Sequence, residues 1–386
     1  MNKFVISISL FCLILNACAQ GPVKDKKEDT SKKDIVVHPA ISHTYKLTDF
    51  LSDNQQLSND VDSIYKKLDN HTRVAQLIMA TADEGKYGET FESVVNHVKN
   101  NYIGGFILLN GTKHDFTKWI KTYNELNPYH ASLPFLFSAD AEPSLVNRKI
   151  KGSTPVKKAV EISTQEEVIT CAKTIATDLN SIGINYNFAP VVDVSKNGTV
   201  GYRGFGANPK NIIPWSNAFI QTTQDMGIIA TAKHFPGHGL VSGDTHKSLQ
   251  MIDGELKEIS NYPPLIEKGL LSVMVAHIAV TNNAKYDTKG LPATASSAIV
   301  QKLLREELKF KGLIVTDAMN MGGISSLPDA EIKVIEAGCD IVLMPINVAK
   351  AHASLLNKYE KDAEFKAKVD SAAKRIIRMK LCLAKG

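Results

Sequence analysis

The chain has 386 residues, with 45 lysines and arginines against 40 aspartates and glutamates, and its formal charge of +5 is too mild to imply nucleic acid as a partner. Its five cysteines, Cys12, Cys18, Cys171, Cys339 and Cys382, show neither paired short spacing nor histidine neighbours. That pattern argues against a disulfide framework or a structural zinc site, and it leaves buried thiols for the three cysteines of the body.

At the amino terminus, Met1, Asn2 and Lys3 precede an apolar run from Phe4 to Leu15. The run is shorter than the roughly 20 apolar residues that a helix needs to cross a bilayer, so it reads as an export signal and not as a permanent span. Its ending, Leu15-Asn16-Ala17-Cys18, resembles the lipobox of bacterial lipoproteins. That resemblance implies removal of residues 1–17 and lipidation of Cys18; ordinary cleavage, with Cys18 left as a plain thiol, is the alternative. Residues 18–44 are rich in charge, from Lys24 to Asp34, and nearly devoid of large apolar side chains. Such a segment cannot bury enough surface to fold and is expected to be a flexible tether. The expected setting is an exported protein, anchored by lipid in the envelope on the periplasmic or surface face of a bacterial membrane.

From about Tyr45 onward, short apolar runs alternate with longer amphipathic stretches. The eight runs are Gln76 to Ala80, Gly105 to Leu109, Pro134 to Ala139, Asn185 to Val192, Ile228 to Ala232, Ser272 to Ala276, Gly312 to Thr316 and Cys339 to Met344. Between them, stretches such as Thr164 to Ile182 and Ala298 to Phe310 carry apolar residues at helical spacing. Eight strand-helix units predict an α/β fold, a single TIM-type (β/α)8 barrel over residues 45–386. A doubly wound open sheet is the alternative. The polar residues favour the barrel, because Asp140, Asp193, Lys233 with His234, His277 and Asp317 sit at or just past the carboxyl ends of separate runs. In a barrel those ends form one mouth, where active sites are found.

The densest chemistry lies in Lys233-His234-Phe235-Pro236-Gly237-His238-Gly239, followed by Asp244-Thr245-His246. Pro236, Gly237 and Gly239 forbid a regular helix, so these titratable groups are expected on an irregular loop. Asp244 and His246 are two apart. On an extended chain they would share a side, and the carboxylate would fix the imidazole's tautomer. Asp317 ends an apolar strand, where it is either a functional carboxylate or a helix cap. Arg203 and Arg148 lie in loops after the fourth and third runs. Either guanidinium can make paired hydrogen bonds to a ligand or simply sit at the surface, Arg148 having Lys149 and Lys151 for neighbours. Asp140 with Glu142 is open in the same way.

Three segments resemble glycoside hydrolase family 3, in its β-N-acetylglucosaminidase branch. They are Lys233 through His246; Leu303-Leu304-Arg305-Glu306-Glu307 through Asp317; and Phe188-Ala189-Pro190-Val191-Val192-Asp193-Val194 running on to Arg203 and Phe205. The resemblance implies that Asp317 is the nucleophile of a retaining exo-acting enzyme. It also implies that His246, oriented by Asp244, is first acid and then base, in place of the usual second carboxylate. By the same resemblance Asp140, Arg148, Arg203, Lys233 and His234 bind sugar hydroxyls, and the substrate is a peptidoglycan-derived or chitin-type glycan with a terminal β-linked N-acetylglucosamine. No cofactor and no metal are called for. Gly237 and Gly239 would let the catalytic loop move.

The chain departs from the family in one place. The usual Asp-x-Glu-Gly-Gly-Arg-Val-x-Arg is here Asp140-Ala141-Glu142-Pro143-Ser144-Leu145-Val146-Asn147-Arg148, which lacks both glycines and the first arginine. Three alternatives stay open. A metal-dependent barrel hydrolase would use His234, His238, Asp244 and His246 as ligands. A non-catalytic, lipid-anchored sugar-binding protein would explain the altered loop. Transfer of the glycosyl group to phosphate instead of water would suit a histidine acid/base.

Overall fold

The computed structural model describes residues 43–383 apart from 84, 86–88, 131, 132, 195 and 207. The expected signal, the lipidation site at Cys18 and almost all of the tether therefore lie outside the described residues. Among the described residues, no helix is long and apolar enough to cross a membrane.

Eight parallel strands form the body: β1 Ile78–Ala82, β2 Gly105–Leu108, β3 Leu136–Ala139, β4 Tyr186–Asn187, β5 Ile229–Phe235, β6 Ser272–Val275, β7 Leu313–Thr316 and β8 Val342–Leu343. They are hydrogen-bonded in the order β7-β6-β5-β4-β3-β2-β1-β8. A parallel bridge between Val315 and Ile341 brings β7 back to the segment entering β8. Thr316 N–H donates to Ile341 O at 3.0 Å across the same seam. Each of the eight expected runs overlaps one strand, β1 continuing past Ala80 to Ala82, and the expected (β/α)8 barrel is the fold observed. The strands read as unbroken apolar runs because both faces are covered, one by the barrel interior and the other by helices. All four or five residues of β1, β2, β3, β6 and β7 are buried.

Other boundaries differ from expectation too. β5 runs on to Phe235, so Lys233 and His234 belong to a buried strand and not to the loop that follows it. The helix over Gln165–Ile182 starts at its Thr164 cap and stops at Gly183, whose φ of 98° is left-handed. The stretch from Ala298, by contrast, winds as a π-helix and ends at Glu307. Its amides reach back five residues, as from Lys302 N–H to Ser297 O at 2.9 Å.

The final helix, Ala363–Leu383, closes the amino-terminal end of the barrel. Its buried Lys380 donates through Nζ to Gln76 Oε1 at 2.7 Å and Gly104 O at 2.8 Å, just before β1 and β2. Arg378 ties the same helix to the carbonyls of Asp49, Phe50 and Ser52. Cys171, Cys339 and Cys382 are free and buried, as their scatter implied.

Candidate active site

The carboxyl ends of the strands surround a cavity of about 260 Å³. Asp140, Arg148, Arg203, Lys233, His234, His246 and Asp317 all line it, although they come from the ends of β3, β4, β5 and β7 and the segments after them. Of the expected site residues only Asp244 stands behind the lining, as the partner of His246.

One wall is a lattice of buried charge. Lys233, at the end of β5, donates to Asp140 Oδ1 at 2.8 Å and meets Glu142 Oε1 at 2.5 Å. Arg203 grips the same Glu142 with two nitrogens, Nε at 2.8 Å and Nη2 alongside. Lys149 Nζ holds the other oxygen of Asp140 at 2.7 Å. Burial alone would raise the Asp140 carboxyl, but Lys149, Lys233 and Arg203 reverse this and hold it well below the usual carboxylate range. Glu142, wholly buried, is lowered in the same way, with Arg203 and Lys233 outweighing desolvation. Glu142 is therefore the counter-ion that fixes Lys233 and Arg203, both of which line the cavity. Arg148 is exposed and, among the described residues, its side chain makes no hydrogen bond or ion pair.

Asp193, just past β4, organises the next wall. Its Oδ2 lies 2.7 Å from His234 Nδ1, and its oxygens also accept the backbone N–H groups of His234 and His238. The carboxylate acceptor assigns the proton to His234 Nδ1 and leaves Nε2 for the cavity. His238 Nε2 pairs with Thr245 Oγ1 at 3.0 Å. Burial, then the neighbouring His234, pushes the His238 imidazole down. One ring nitrogen of each histidine in the proposed metal set is thus tied to its own partner, His246 Nδ1 being held by Asp244. Among the described residues, no three His, Cys, Asp or Glu side chains are grouped to hold a metal ion.

His246 stands on the rim with its side chain 60% exposed. Its pairing with Asp244 comes from a turn and not from extended backbone: Asp244 Oδ1 accepts both His246 N–H at 3.0 Å and the ring Nδ1 at 2.7 Å. Those bonds outweigh the effect of burial and lower the Asp244 carboxyl. Neighbouring segments hold the loop at both shoulders. Asn197 Nδ2 donates to Val241 O at 2.6 Å and Gly243 O at 3.0 Å. On the other side, Gly322 N–H and Gly323 N–H donate to His246 O and Thr245 O, each at 3.0 Å.

The glycines of this loop have a steric task. A Cβ at Gly237 would lie 2.6 Å from Glu258 Oε2, and one at Gly239 would lie 2.1 Å from Val194 O. The buried Glu258 carboxyl sits under the loop and accepts Val194 N–H at 2.7 Å and Leu240 N–H at 3.3 Å. Close packing at both positions, and at Gly237 a φ of 133°, account for glycine there.

Asp317 follows β7 on the cavity floor. Its N–H donates to Val275 O at 2.8 Å, and its Oδ1 accepts Ala318 N–H at 2.9 Å. Desolvation works to raise its carboxyl, yet His234, His277, the Ala318 amide and His246 bring it below the ordinary value, so it is ionised at neutral pH. His277 is fully buried and its nitrogens are taken by Thr294 Oγ1 at 2.8 Å and Ala318 O at 3.1 Å. It is a packed strand-end histidine that does not reach the cavity.

Residue order assigns no partner to Asp193 or Lys149 and leaves Glu142 open together with Asp140. Asp193 carried the same signal as Asp140 and Asp317, a carboxylate closing an apolar run, but its partners come from another strand.

An eight-stranded parallel barrel with acid and histidine pairs gathered at its carboxyl mouth defines the class. The Glycosyl hydrolase family 3 N terminal domain matches residues 70–379, and the chain belongs to that family. It is 37% identical over 196 residues to β-hexosaminidase A of Pseudoalteromonas piscicida, a match covering 46% of this chain and 33% of that protein, so the chain spans about a third of that relative's length. The β-hexosaminidase of Actinobacillus pleuropneumoniae serotype 3 is 30% identical over 274 residues, 66% of this chain and 78% of the relative. The crystal structure of the β-N-acetylhexosaminidase from Beutenbergia cavernae superposes with a TM-score of 0.74 at 26% identity, covering 81% of this chain and 99% of that one.

Proposed function

We propose that the protein is a retaining exo-β-N-acetylglucosaminidase that removes terminal β-linked N-acetylglucosamine from peptidoglycan-derived or chitin-type glycans. One observation carries the reading: the ionised Asp317 carboxylate and the Asp244-held imidazole of His246 line the same cavity. The relatives named β-hexosaminidase support the same class of substrate. The cavity volume of about 260 Å³ falls below the roughly 300–1,000 Å³ typical of drug-sized ligands, which suits one sugar ring and an exo action.

In the first step an Asp317 oxygen attacks the anomeric carbon while the glycosidic C–O bond breaks. His246 Nε2 gives its proton to the departing oxygen. Asp244, bonded to Nδ1, holds the ring's orientation through the transfer. In the second step His246 Nε2 takes a proton from water, the water oxygen bonds to the anomeric carbon, and Asp317 leaves as carboxylate. Two inversions give net retention. Asp140, Arg148, Arg203, Lys233 and His234 bind the hydroxyls of the terminal sugar. The protein works outside the cytoplasm, lipid-anchored to a bacterial membrane through Cys18 with residues 18–44 as tether.

The test is hydrolysis of chromogenic β-N-acetylglucosaminide and β-glucoside side by side. We expect strong preference for the N-acetyl sugar. Turnover should fall roughly 10⁴- to 10⁶-fold in Asp317→Ala and roughly 10²- to 10⁴-fold in His246→Ala. Equal rates on the two sugars would overturn the N-acetyl assignment, and full activity in Asp317→Ala would overturn the mechanism. For the anchor, Cys18→Ala should move the protein from the membrane to the soluble fraction.

A further inference from the structure

Lys149 reads in sequence as part of a basic surface run with Arg148 and Lys151, yet its ammonium is in the cavity wall. Its Nζ lies 2.7 Å from Asp140 Oδ2, while Lys233 takes Oδ1, so each oxygen of one carboxylate is held by its own lysine. The Lys149 side chain is only 17% exposed. Burial works against its charge, and Asp140 more than restores it.

How this cation reaches the site follows from helical spacing. Leu145 caps the short helix Val146–Lys149, and Lys149 N–H donates to Leu145 O at 2.9 Å. Residues four apart in such a turn share one face, and both Leu145 and Lys149 line the cavity. The family pattern has arginine where this chain has the buried Leu145. The cation lost at that position is replaced one turn later on the same face.

We propose that Lys149 is a sugar-binding residue of this chain, a replacement cation that clamps Asp140 and offers its remaining N–H groups to hydroxyl oxygens of the terminal sugar. The proposal rests on the sugar-hydrolysing reading of the cavity. An ammonium has three donors, and Asp140 uses one of them. Asp140, Lys149, Arg203 and Lys233 all line the cavity, so three cations and one carboxylate are available to one terminal ring. Such a wall both donates to and accepts from vicinal hydroxyls, which fixes the ring's orientation over Asp317.

The full chain is tested as Lys149→Met, Lys149→Arg, and Lys149→Met combined with Leu145→Arg. The readouts are steady-state kinetics on chromogenic β-N-acetylglucosaminide, calorimetric titration with N-acetylglucosamine, and thermal unfolding. Loss of one charge-assisted hydrogen bond should raise KM and the Kd for N-acetylglucosamine about 10- to 100-fold, with kcat changed far less. Lys149→Arg should keep most of the affinity, and Leu145→Arg should restore a large part of it to Lys149→Met. Should Lys149→Met fail to fold, Lys149→Gln is read in its place. Wild-type KM and Kd in a folded Lys149→Met would overturn the proposal. If the native protein binds N-acetylglucosamine but hydrolyses nothing, the enzymatic reading fails and the Kd series still decides the role of Lys149. If it binds no sugar, both fall.

Discussion

Two lysines, each 1% exposed, occupy opposite ends of the barrel and are treated in opposite ways. Lys233, at the carboxyl end of β5, is embraced by Asp140 and Glu142, both of them held below the usual carboxylate range. Lys380, under the amino-terminal end, meets only the neutral oxygens of Gln76 and Gly104. Burial without a counter-ion pushes its ammonium down to about 7. Sequestering an ion is costly unless a partner is built beside it. The mouth of this barrel supplies such partners and its base does not. Investment in buried counter-ions therefore separates a site that must keep its charge from a plug that can give it up.

The largest break in that comparison should come from Lys233→Met. The substitution strands Asp140 and Glu142 against one another with a shared cation removed, and breaking a buried ion pair typically costs about 3–5 kcal/mol. Urea unfolding should show a loss of that order, and hydrolysis of β-N-acetylglucosaminide should fall with it, because a cation of the cavity wall is gone and Asp140 is held by Lys149 alone. Lys380→Met leaves one neutral acceptor, Gln76 Oε1, without this partner, because Gly104 O still accepts Leu136 N–H at 3.2 Å, a penalty of about 1–3 kcal/mol. It also removes an ammonium that was costly to bury. Activity should be close to that of the native protein, since Lys380 lies at the other end of the barrel. Equal destabilisation by the two substitutions would show that the counter-ions at the mouth add nothing.

How much of this was legible in the residue order depends on the range of the interaction. All eight strands stand out as apolar runs because a parallel strand covered on both faces has no polar side to show. Asp140, Asp193 and Asp317 were visible as carboxylates closing such runs. What misled was locality. Lys233 and His234 look like loop residues because they are polar, but their burial is made tolerable by Asp140, Glu142 and Asp193, which come from other strands. The pairing of Asp244 with His246 was right in spacing, while the backbone that delivers it is a turn. Lys149 was hidden among surface-like basic neighbours, since nothing in sequence tells which lysine of a run points inward. Gly237 and Gly239 suggest motion by composition, and only the folded positions of Glu258 and Val194 supply a steric reason.

The smaller test concerns pH at the base of the barrel. Lys380 has an ordinary value of 10.5 in the unfolded chain and about 7 in the folded one. Below pH 7 the lysine is protonated in both states, so the cost of burying an ammonium weighs on the folded protein in full. Between about 7 and 10.5 the unfolded chain still binds the proton while the folded one has released it, so stability rises with pH through this window. The slope from one such group is at most about 1.4 kcal/mol per pH unit. Other groups titrate in the same range, so the informative quantity is the difference in unfolding free energy between the native protein and Lys380→Met, taken from urea titrations at pH 6 through 10. That difference should shift in favour of the native protein as the pH increases, because the methionine variant carries no proton at this position in either state. A pH-independent difference would mean that Lys380 keeps its proton in the fold, and the contrast with Lys233 would then rest on geometry alone.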